Sequence, residues 1–151
     1  MARVRQYVYF AIRSETMSVD QITELLGREP DSVLVRGSER SEPPIPRVNA
    51  WKLCCDGPGL TIDEQIEAVL SQMKPLKERI AAITAMQDCT AVLQLVRNFD
   101  DDDGEPEQFP GRSDGLQKLS GRHQLLGWHL RADDLSFLGS LGVPIDADEY
   151  G

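Results

Sequence analysis

The side chains with the clearest potential for recognition form an aromatic and basic row near the amino terminus. Arg5, Tyr7, Tyr9 and Arg13 occupy odd-numbered positions, so they share one face if this segment is a strand. Exposed aromatic rings beside guanidinium groups are what some sheet proteins use to stack unpaired RNA bases. The same groups also suit a surface that a second chain, or another part of this chain, covers. The row therefore predicts a binding face and leaves its occupant open.

A second group could line a concave site. Pockets for small molecules combine aromatic walls with a few polar groups, and Trp51, Trp128 and Arg36 supply both kinds. His129 would be the general base in such a pocket, because an imidazole titrates near neutral pH. Alternatively, if Trp128 lies on a strand and faces the core, His129 and Arg131 would alternate with it and join the tyrosines on the sheet face. The candidate binding residues are thus Tyr7, Tyr9, Arg36, Trp51, Trp128, His129 and Arg131.

The remaining groupings lack the spacing that catalysis or metal binding requires. The acidic run over 100–105 offers the carboxylates that calcium prefers, but the glycine position of an EF-hand loop would put Phe99 first and Pro110 last as ligands. Zinc needs three or four convergent ligands, whereas the adjacent Cys54 and Cys55 point to opposite faces of a strand. The sequence predicts no catalytic residue, no metal and no cofactor, and it favours a non-catalytic protein over an enzyme.

Charge restricts the partners. The chain has 16 Lys and Arg against 25 Asp and Glu, a net charge of −9 at pH 7. Nucleic-acid binding normally needs a basic surface, and so does attraction to anionic lipid. No apolar run approaches the roughly 18 residues that span a bilayer, and the stretch 7–12 is too short for a signal-peptide core. With an odd count of three cysteines, these features predict a cytoplasmic protein without nucleic-acid or membrane partners.

Hydrophobic periodicity and capping residues predict the elements that would position these side chains. Alternation over 4–13 predicts a strand. Ser18 and Gln21 form a capping box that begins a helix, which Gly27 ends. A second capping box at Thr61 begins the longest helix, and Pro75 predicts a kink within it. The further predictions are strands over 32–36, 50–55, 89–97, 127–131 and 143–147, a surface loop or a broken edge strand over 38–49, and a short helix over 135–141 that Gly142 ends.

This order predicts an α+β fold over a single domain, 1–151. The expected architecture is a two-layer sandwich, with a mainly antiparallel sheet and helices on one face. The first six elements match the ferredoxin-like order, which a C-terminal β-α-β part extends. Residues 98–124 hold seven acidic and three basic side chains and exceed the usual loop length, so they predict a long, mobile acidic loop.

Several motifs also resemble a known family. They are Ile22-x-x-Leu25-Leu26-Gly27-x-x-Pro30, the following Gly37, Trp51-x-Leu53, the two capped helices and the terminal Ile145-Asp146-x-x-x-Tyr150. Together they resemble the bacterial family called Domain of Unknown Function 4279 over residues 5–99 and 126–150. The long acidic stretch departs from the family pattern. The resemblance implies a fold and brings no established activity or catalytic residue.

Two classes of function are therefore expected. The first is a non-catalytic interaction domain, which forms a homodimer or binds a basic protein partner, as an immunity-type protein does when it masks a cationic toxin. The alternative is a small-molecule-binding domain, or an enzyme without a recognisable motif, with its pocket near Trp51, Trp128 and His129.

Overall fold

The computed structural model describes residues 3–55, 60–99, 101–106 and 127–151. The strands are β1 (Arg3–Ser14), β2 (Ser32–Leu34), β3 (Arg40–Ser41), β4 (Pro44–Ile45), β5 (Asn49–Cys55), β6 (Cys89–Phe99), β7 (Glu105–Pro106) and β8 (Ile145–Tyr150). The helices are α1 (Val19–Leu26), α2 (Ile62–Met73), α3 (Lys77–Thr84) and α4 (Ala132–Ser140), with a 3₁₀ turn (Lys74–Leu76) between α2 and α3. The fold is therefore mixed α+β, as the sequence predicts.

The strands form one mainly antiparallel sheet in the order β2-β5-β1-β6-β8. β1 lies between β5 and β6 and is antiparallel to both, while β7 pairs with the first residues of β1. β6 and β8 are parallel. The short β3 and β4 form a separate hairpin within the segment predicted as a surface loop or a broken edge strand. Within this order β2 and β8 are the two edges of the sheet.

Alternation in β1 separates two chemically different faces, as predicted. Val8, Phe10 and Ile12 are fully buried on the face covered by helices. Tyr7 and Tyr9 occupy alternate, odd-numbered positions of the same strand and so point to the opposite face. Burial of the aliphatic set fixes the register of β1, because a slip by one residue would move that set to the other face.

α1 begins and ends at the predicted residues, and α2 begins at its predicted capping box, whereas α4 begins at Ala132, three residues before the predicted start, and is capped by Leu141 and not by Gly142. The Ser18 side chain accepts a hydrogen bond from the Gln21 backbone N–H, and the Gln21 side chain accepts one from the Ser18 N–H. Thr61 and Glu64 form the same reciprocal pair at the start of α2. Each pair satisfies two N–H groups that a helix terminus would otherwise leave without a partner. Gly27 ends α1 with φ +66°, a conformation that glycine adopts without steric cost.

Pro75 interrupts the longest helix, as its chemistry predicts. The proline lies in the 3₁₀ turn between α2 and α3. Because proline has no N–H and its ring clashes with the preceding turn, the regular helix cannot continue through it. The helical segments on both sides of the turn contact the sheet, and their fully buried side chains include Val69, Met73 and Ile80.

All helices bury their apolar sides against the same face of the sheet. The core includes Ile22 and Leu26 of α1, Leu70 of α2, Ile83 of α3 and Leu138 of α4. Strand residues complete it with Val8, Phe10, Ile12, Trp51, Leu53, Ala91, Leu93 and Leu95. Burial at roughly 25 cal/mol per Å² of apolar surface is what holds these two layers together. Among the described residues no helix is long and apolar enough to cross a membrane.

The predicted strand over 127–131 is wrong. These residues are not in a strand, and the backbone N–H of His129 donates to Asp63 Oδ1 at 2.8 Å. The segment thus crosses the start of α2. Trp128 and Leu130 do pack against the core, so the alternation of buried and exposed side chains that suggested a strand is real. The last strand begins at Ile145, two residues later than predicted.

The predicted acidic loop over 98–124 lies partly outside the described residues, which omit 107–126 and residue 100. Some of its described residues belong to paired strands. β6 runs to Phe99, two residues into the predicted loop, and the Val4↔Glu105 pair joins β7 to β1. Arg3 Nη1 donates to the backbone carbonyls of Asp102 and Gly104 at 3.0 and 3.2 Å.

Candidate functional site

The face of the sheet opposite the helices carries the tyrosine pair. The rings of Tyr7 and Tyr9 are nearly parallel, with centroids 6.2 Å apart and an interplanar angle of 15°. Lys52 of β5 places its Nζ 4.4 Å from the centre of the Tyr9 ring, a cation–π contact. Both tyrosines are half-buried. The sequence predicted the tyrosine pair on this face, whereas the role of Lys52 depends on the pairing of β1 with β5.

Burial shifts the two titrations at this contact in opposite directions. The pKa of Tyr9 is raised above 10.0, chiefly because burial disfavours the phenolate, although the nearby Arg13 lowers it. The pKa of Lys52 is lowered below 10.5 because burial disfavours the ammonium. The face therefore combines the Lys52 amine with the hydroxyl groups of Tyr7 and Tyr9.

The same face becomes acidic toward β8. Gln94 of β6 is almost fully buried, and its Nε2 donates to Asp148 Oδ2 at 3.0 Å and to the Asp146 carbonyl at 3.3 Å. These bonds tie β8 to the sheet. Charge thus changes sign from Lys52 on one side of β1 to the β8 carboxylates on the other.

His129 and Arg131 do not join the tyrosine face. They lie on the helix side, at a small cavity of about 180 Å³ between the start of α2 and the start of α4. Asp134 there is close to two cations, with Lys74 Nζ at 3.8 Å and Arg131 Nε at 3.7 Å from its carboxylate oxygens. The lining residues are Asp63, Ile66, Glu67, Lys74, His129, Arg131 and Asp134.

Of the predicted binding residues, only His129 and Arg131 line the cavity described above. Trp51 is fully buried in the core, and Trp128 packs against that core from the helix side. Arg36 follows β2, where its Nε donates to the Arg47 carbonyl at 2.9 Å. The cavity beside His129 is lined by neither tryptophan nor by Arg36.

A feature that the sequence did not predict lies at the β2 edge. Val33, Leu34 and Val35 are 42%, 39% and 50% exposed, and Ile45 of the β3–β4 hairpin is 38% exposed. β2 pairs with β5 on one side, and no other described strand pairs with its outer side. We call Val33, Leu34 and Val35 the apolar edge. Its position depends on strand order, which local patterns do not carry.

The β8 edge has the opposite character. Asp146 and Glu149 are exposed there, and Asp148 is held by Gln94. Glu149 also forms an ion pair with the buried Arg97, with Oε1 and Nη1 3.3 Å apart. Carboxylates along an edge discourage another strand from pairing with it.

Comparison with protein families gives one assignment. The family model described as a domain of unknown function, DUF4279, matches residues 4–151. No curated protein and no solved structure gives a significant match. The match extends from the first residues of β1 through β8, and the chain therefore belongs to the DUF4279 family.

Proposed function

We propose that this chain is a non-catalytic interaction domain that acts by associating with a second copy of itself. The observation that carries the proposal is the apolar edge, where Val33, Leu34 and Val35 are all more than a third exposed. These side chains stand beside strand backbone that has no partner strand among the described residues. An edge of this kind is a template for pairing with another strand.

Both contributions to pairing are present at this edge. Unpaired peptide groups gain strand-to-strand hydrogen bonds, each with a net value of about 0.5–1.5 kcal/mol. The exposed valines and leucine gain about 25 cal/mol for each Å² of apolar surface removed from water. β2 has only three residues, so the interface is small. Interfaces below about 1,200 Å² are typical of weak, transient association.

The acidic edge supports self-association with a defined end point. If both edges were apolar, copies could add without limit. Because Asp146 and Glu149 are exposed on β8, pairing there would bring carboxylates of two acidic chains together. The expected product is a dimer joined through β2, and association should stop at that size.

Light scattering over a wide range of protein concentration tests the proposal. The mass should rise from 16.8 kDa toward twice that value as the concentration increases from about 10 μM to about 1 mM, the range in which a weak interface associates. A mass that stays at 16.8 kDa throughout this range contradicts self-association.

A basic protein partner is the second form of the interaction proposal. It is supported by the acidic β8 edge, with Asp146 and Glu149 exposed, and by the net charge of −9. Such charge steers a basic partner at low salt. Affinity capture at low salt should then return a basic protein, and release it as salt increases. Capture of no protein contradicts this form, which includes the immunity-type hypothesis.

The small-molecule alternative is supported by the cavity beside His129. Its volume of about 180 Å³ is below the roughly 300–1,000 Å³ of pockets for larger ligands, so it suits a ligand of few atoms. Lys74 and Arg131 beside Asp134 suit a small ligand with charges of both signs. Free amino acids should raise the melting temperature of the protein by mass action, and His129→Ala should abolish the shift. No shift with any of them argues against this function.

We also infer the finer features of the fold and location that the sequence predicts. The strand order β2-β5-β1-β6, with β1 antiparallel to both neighbours, supports the ferredoxin-like arrangement. The parallel pair of β6 and β8 with α4 before β8 supports a C-terminal β-α-β part. It would start from β6, because residues 127–131 form no strand. The odd cysteine count supports a reducing, cytoplasmic location.

A further inference from the structure

We propose that the second copy pairs its own β2 with this β2 in antiparallel fashion, about a two-fold axis at Val33, so that two sheets become one. This inference rests on the proposed self-association and specifies the partner and the register. Two identical edges related by a two-fold axis perpendicular to the sheet meet as antiparallel strands, and residue i then opposes residue j as j opposes i. Only the central residue of the contact opposes itself.

The direction of the peptide groups selects Val33 as that residue. Ser32 lies opposite Lys52 and Leu34 opposite Ala50 in the β2–β5 pair. The Lys52 carbonyl accepts a bond from the β2 side, from the Asp31 N–H at 2.8 Å. The Cys54 N–H also points to that side, where it donates to Asp31 Oδ2 at 2.9 Å. The peptide groups of alternate β5 residues, which include Lys52 and Cys54, therefore point toward β2. Because Ser32 and Leu34 lie opposite residues of this set, their own peptide groups point toward β5.

Val33 lies between these two residues, so its N–H and C=O point to the outer edge. An antiparallel contact centred on Val33 lets the two copies exchange both of these bonds. A contact centred on Leu34 would instead oppose two residues whose peptide groups already point toward β5. The backbone thus favours the Val33 register over its neighbour.

Side-chain placement agrees with this register. Val33 of one copy opposes Val33 of the other, on the helix side that it shares with its β5 neighbour Trp51. Ser32 opposes Leu34 on the other face, so no two like charges lie opposite each other within β2. Side chains directly opposite each other in an antiparallel pair contact one another and stabilise the sheet. The two-fold axis also places the helices of both copies on the same side of the joined sheet.

Charge variants at Val33 test the register. In the proposed dimer, Val33→Lys places two ammonium groups opposite each other, and Val33→Glu places two carboxylates opposite each other. Each variant alone should weaken association by more than about tenfold, because like charges directly opposite repel. An equimolar mixture of the two should form a heterodimer, since opposite charges then meet. Sedimentation velocity on the three samples measures both effects.

A matched control separates register from general surface change. Leu135 of α4 is 50% exposed, so Leu135→Lys makes the same chemical change away from the edge and should leave association unchanged. Circular dichroism should show that each variant keeps its fold. Val33→Thr, which keeps the branched shape, is the substitute if the charged variants unfold, and it should weaken association about severalfold through lost apolar burial.

The outcomes distinguish this inference from the function on which it rests. If the unmodified protein is monomeric at every concentration, self-association itself is wrong. If the unmodified protein dimerises but Val33→Lys dimerises equally well, self-association stands and the β2 edge is wrong. If each charge variant is monomeric and their equimolar mixture is monomeric as well, the β2 edge stands as the contact and the Val33 register is wrong.

Discussion

At one edge of the sheet β2 exposes Val33 and Leu34, whereas at the other edge β8 exposes Asp146 and Glu149. Both edges end in backbone without a partner strand among the described residues, so the difference lies in the side chains. Charge protects an edge from pairing, and apolar side chains invite it. The contrast shows that one sheet carries an apolar edge and an acidic edge, and the proposed self-association assigns the contact to the apolar one.

The two edges also differ in how firmly the sheet holds them. β8 is fastened by the Gln94 bonds to Asp148 and to the Asp146 carbonyl, and by the ion pair between Glu149 and Arg97. β2 is three residues long, and β5 is its one partner among the described strands. A short strand with one neighbour gains more from a second partner than a strand that side chains already anchor.

The largest effect expected at the edges is that of Val33→Pro. Proline removes the outward N–H, for which the described part of the monomer shows no partner strand, and edge strands tolerate proline. Self-association should weaken by more than about tenfold, while the folded monomer remains. Leu34→Pro is the matched variant, and it should instead destabilise the monomer because its N–H pairs with β5. Analytical ultracentrifugation and thermal melts measure the two effects, and equal behaviour of the variants contradicts the assigned backbone directions.

Removal of the Glu149 carboxylate tests the attachment of β8. The Arg97 side chain is 7% exposed and Glu149 is 43% exposed, so Glu149→Ala deprives a buried guanidinium of one charged neighbour. We expect a loss of about 1–2 kcal/mol in the free energy of unfolding, below the cost for a fully buried pair. Urea denaturation measures it, with the exposed Asp146→Ala as control. Dimer formation should be unchanged, and a loss of dimer would place β8 in the contact.

Salt should distinguish the two edges by the sign of its effect. Each copy carries a net charge of −9, so two copies repel, and screening of this repulsion favours association through an apolar edge. We expect the association constant to rise about two- to fivefold between 50 and 500 mM NaCl. A basic partner on the β8 edge would be released over the same range. Light scattering and affinity capture across a salt series measure both directions.

The smallest expected effect is a change in folding stability at alkaline pH, and it arises from Tyr9 on the face between the two edges. The folded-state pKa of Tyr9 lies above the unfolded value of 10.0, so the folded state holds its proton longer. The stability contributed by this difference is complete below pH 10.0 and is lost as pH rises through the folded pKa. Tyr9→Phe should therefore lose less stability above that pH than the unmodified protein, while Tyr150→Phe should not. Urea denaturation at several alkaline pH values measures it, and identical slopes contradict the burial of Tyr9.

Local chemistry predicted much of the fold. The capping boxes at Ser18 and Thr61 define helix starts by satisfying the first N–H groups of each helix. Pro75 breaks the long helix for reasons contained in its own ring. The alternation from Val8 to Ile12 gives both the strand and the direction of the tyrosines. These features depend on contacts within a few residues of the chain, which a sequence shows directly.

The strand predicted over 127–131 failed because its alternation has another cause. Trp128 and Leu130 pack on the core while His129 bonds Asp63, so a chain crossing a helix start produced the pattern of a strand. Two apolar residues are too few to separate these cases. Only the location of α2 decides between them.

The candidate site was harder to predict than the fold because it depends on long-range order. The stretch over 32–36 was predicted as a strand, but its position at the edge follows from the pairing of Val33 with Trp51 and from β5 lying next to β1. Trp51 was predicted as a pocket wall, and its alternation with Lys52 was compatible with either face. The pairing places Trp51 in the core and Lys52 against Tyr9.

Amide hydrogen exchange, followed residue by residue as protein concentration increases, tests the central claim most directly. The account predicts that exchange of the Val33 N–H slows in proportion to the dimer formed, since that group gains a hydrogen bond only in the joined sheet. The outward N–H groups of β8 should exchange at the same rate at every concentration. Slowing confined to β8, or a Val33 rate that does not change while the dimer forms, would contradict the account.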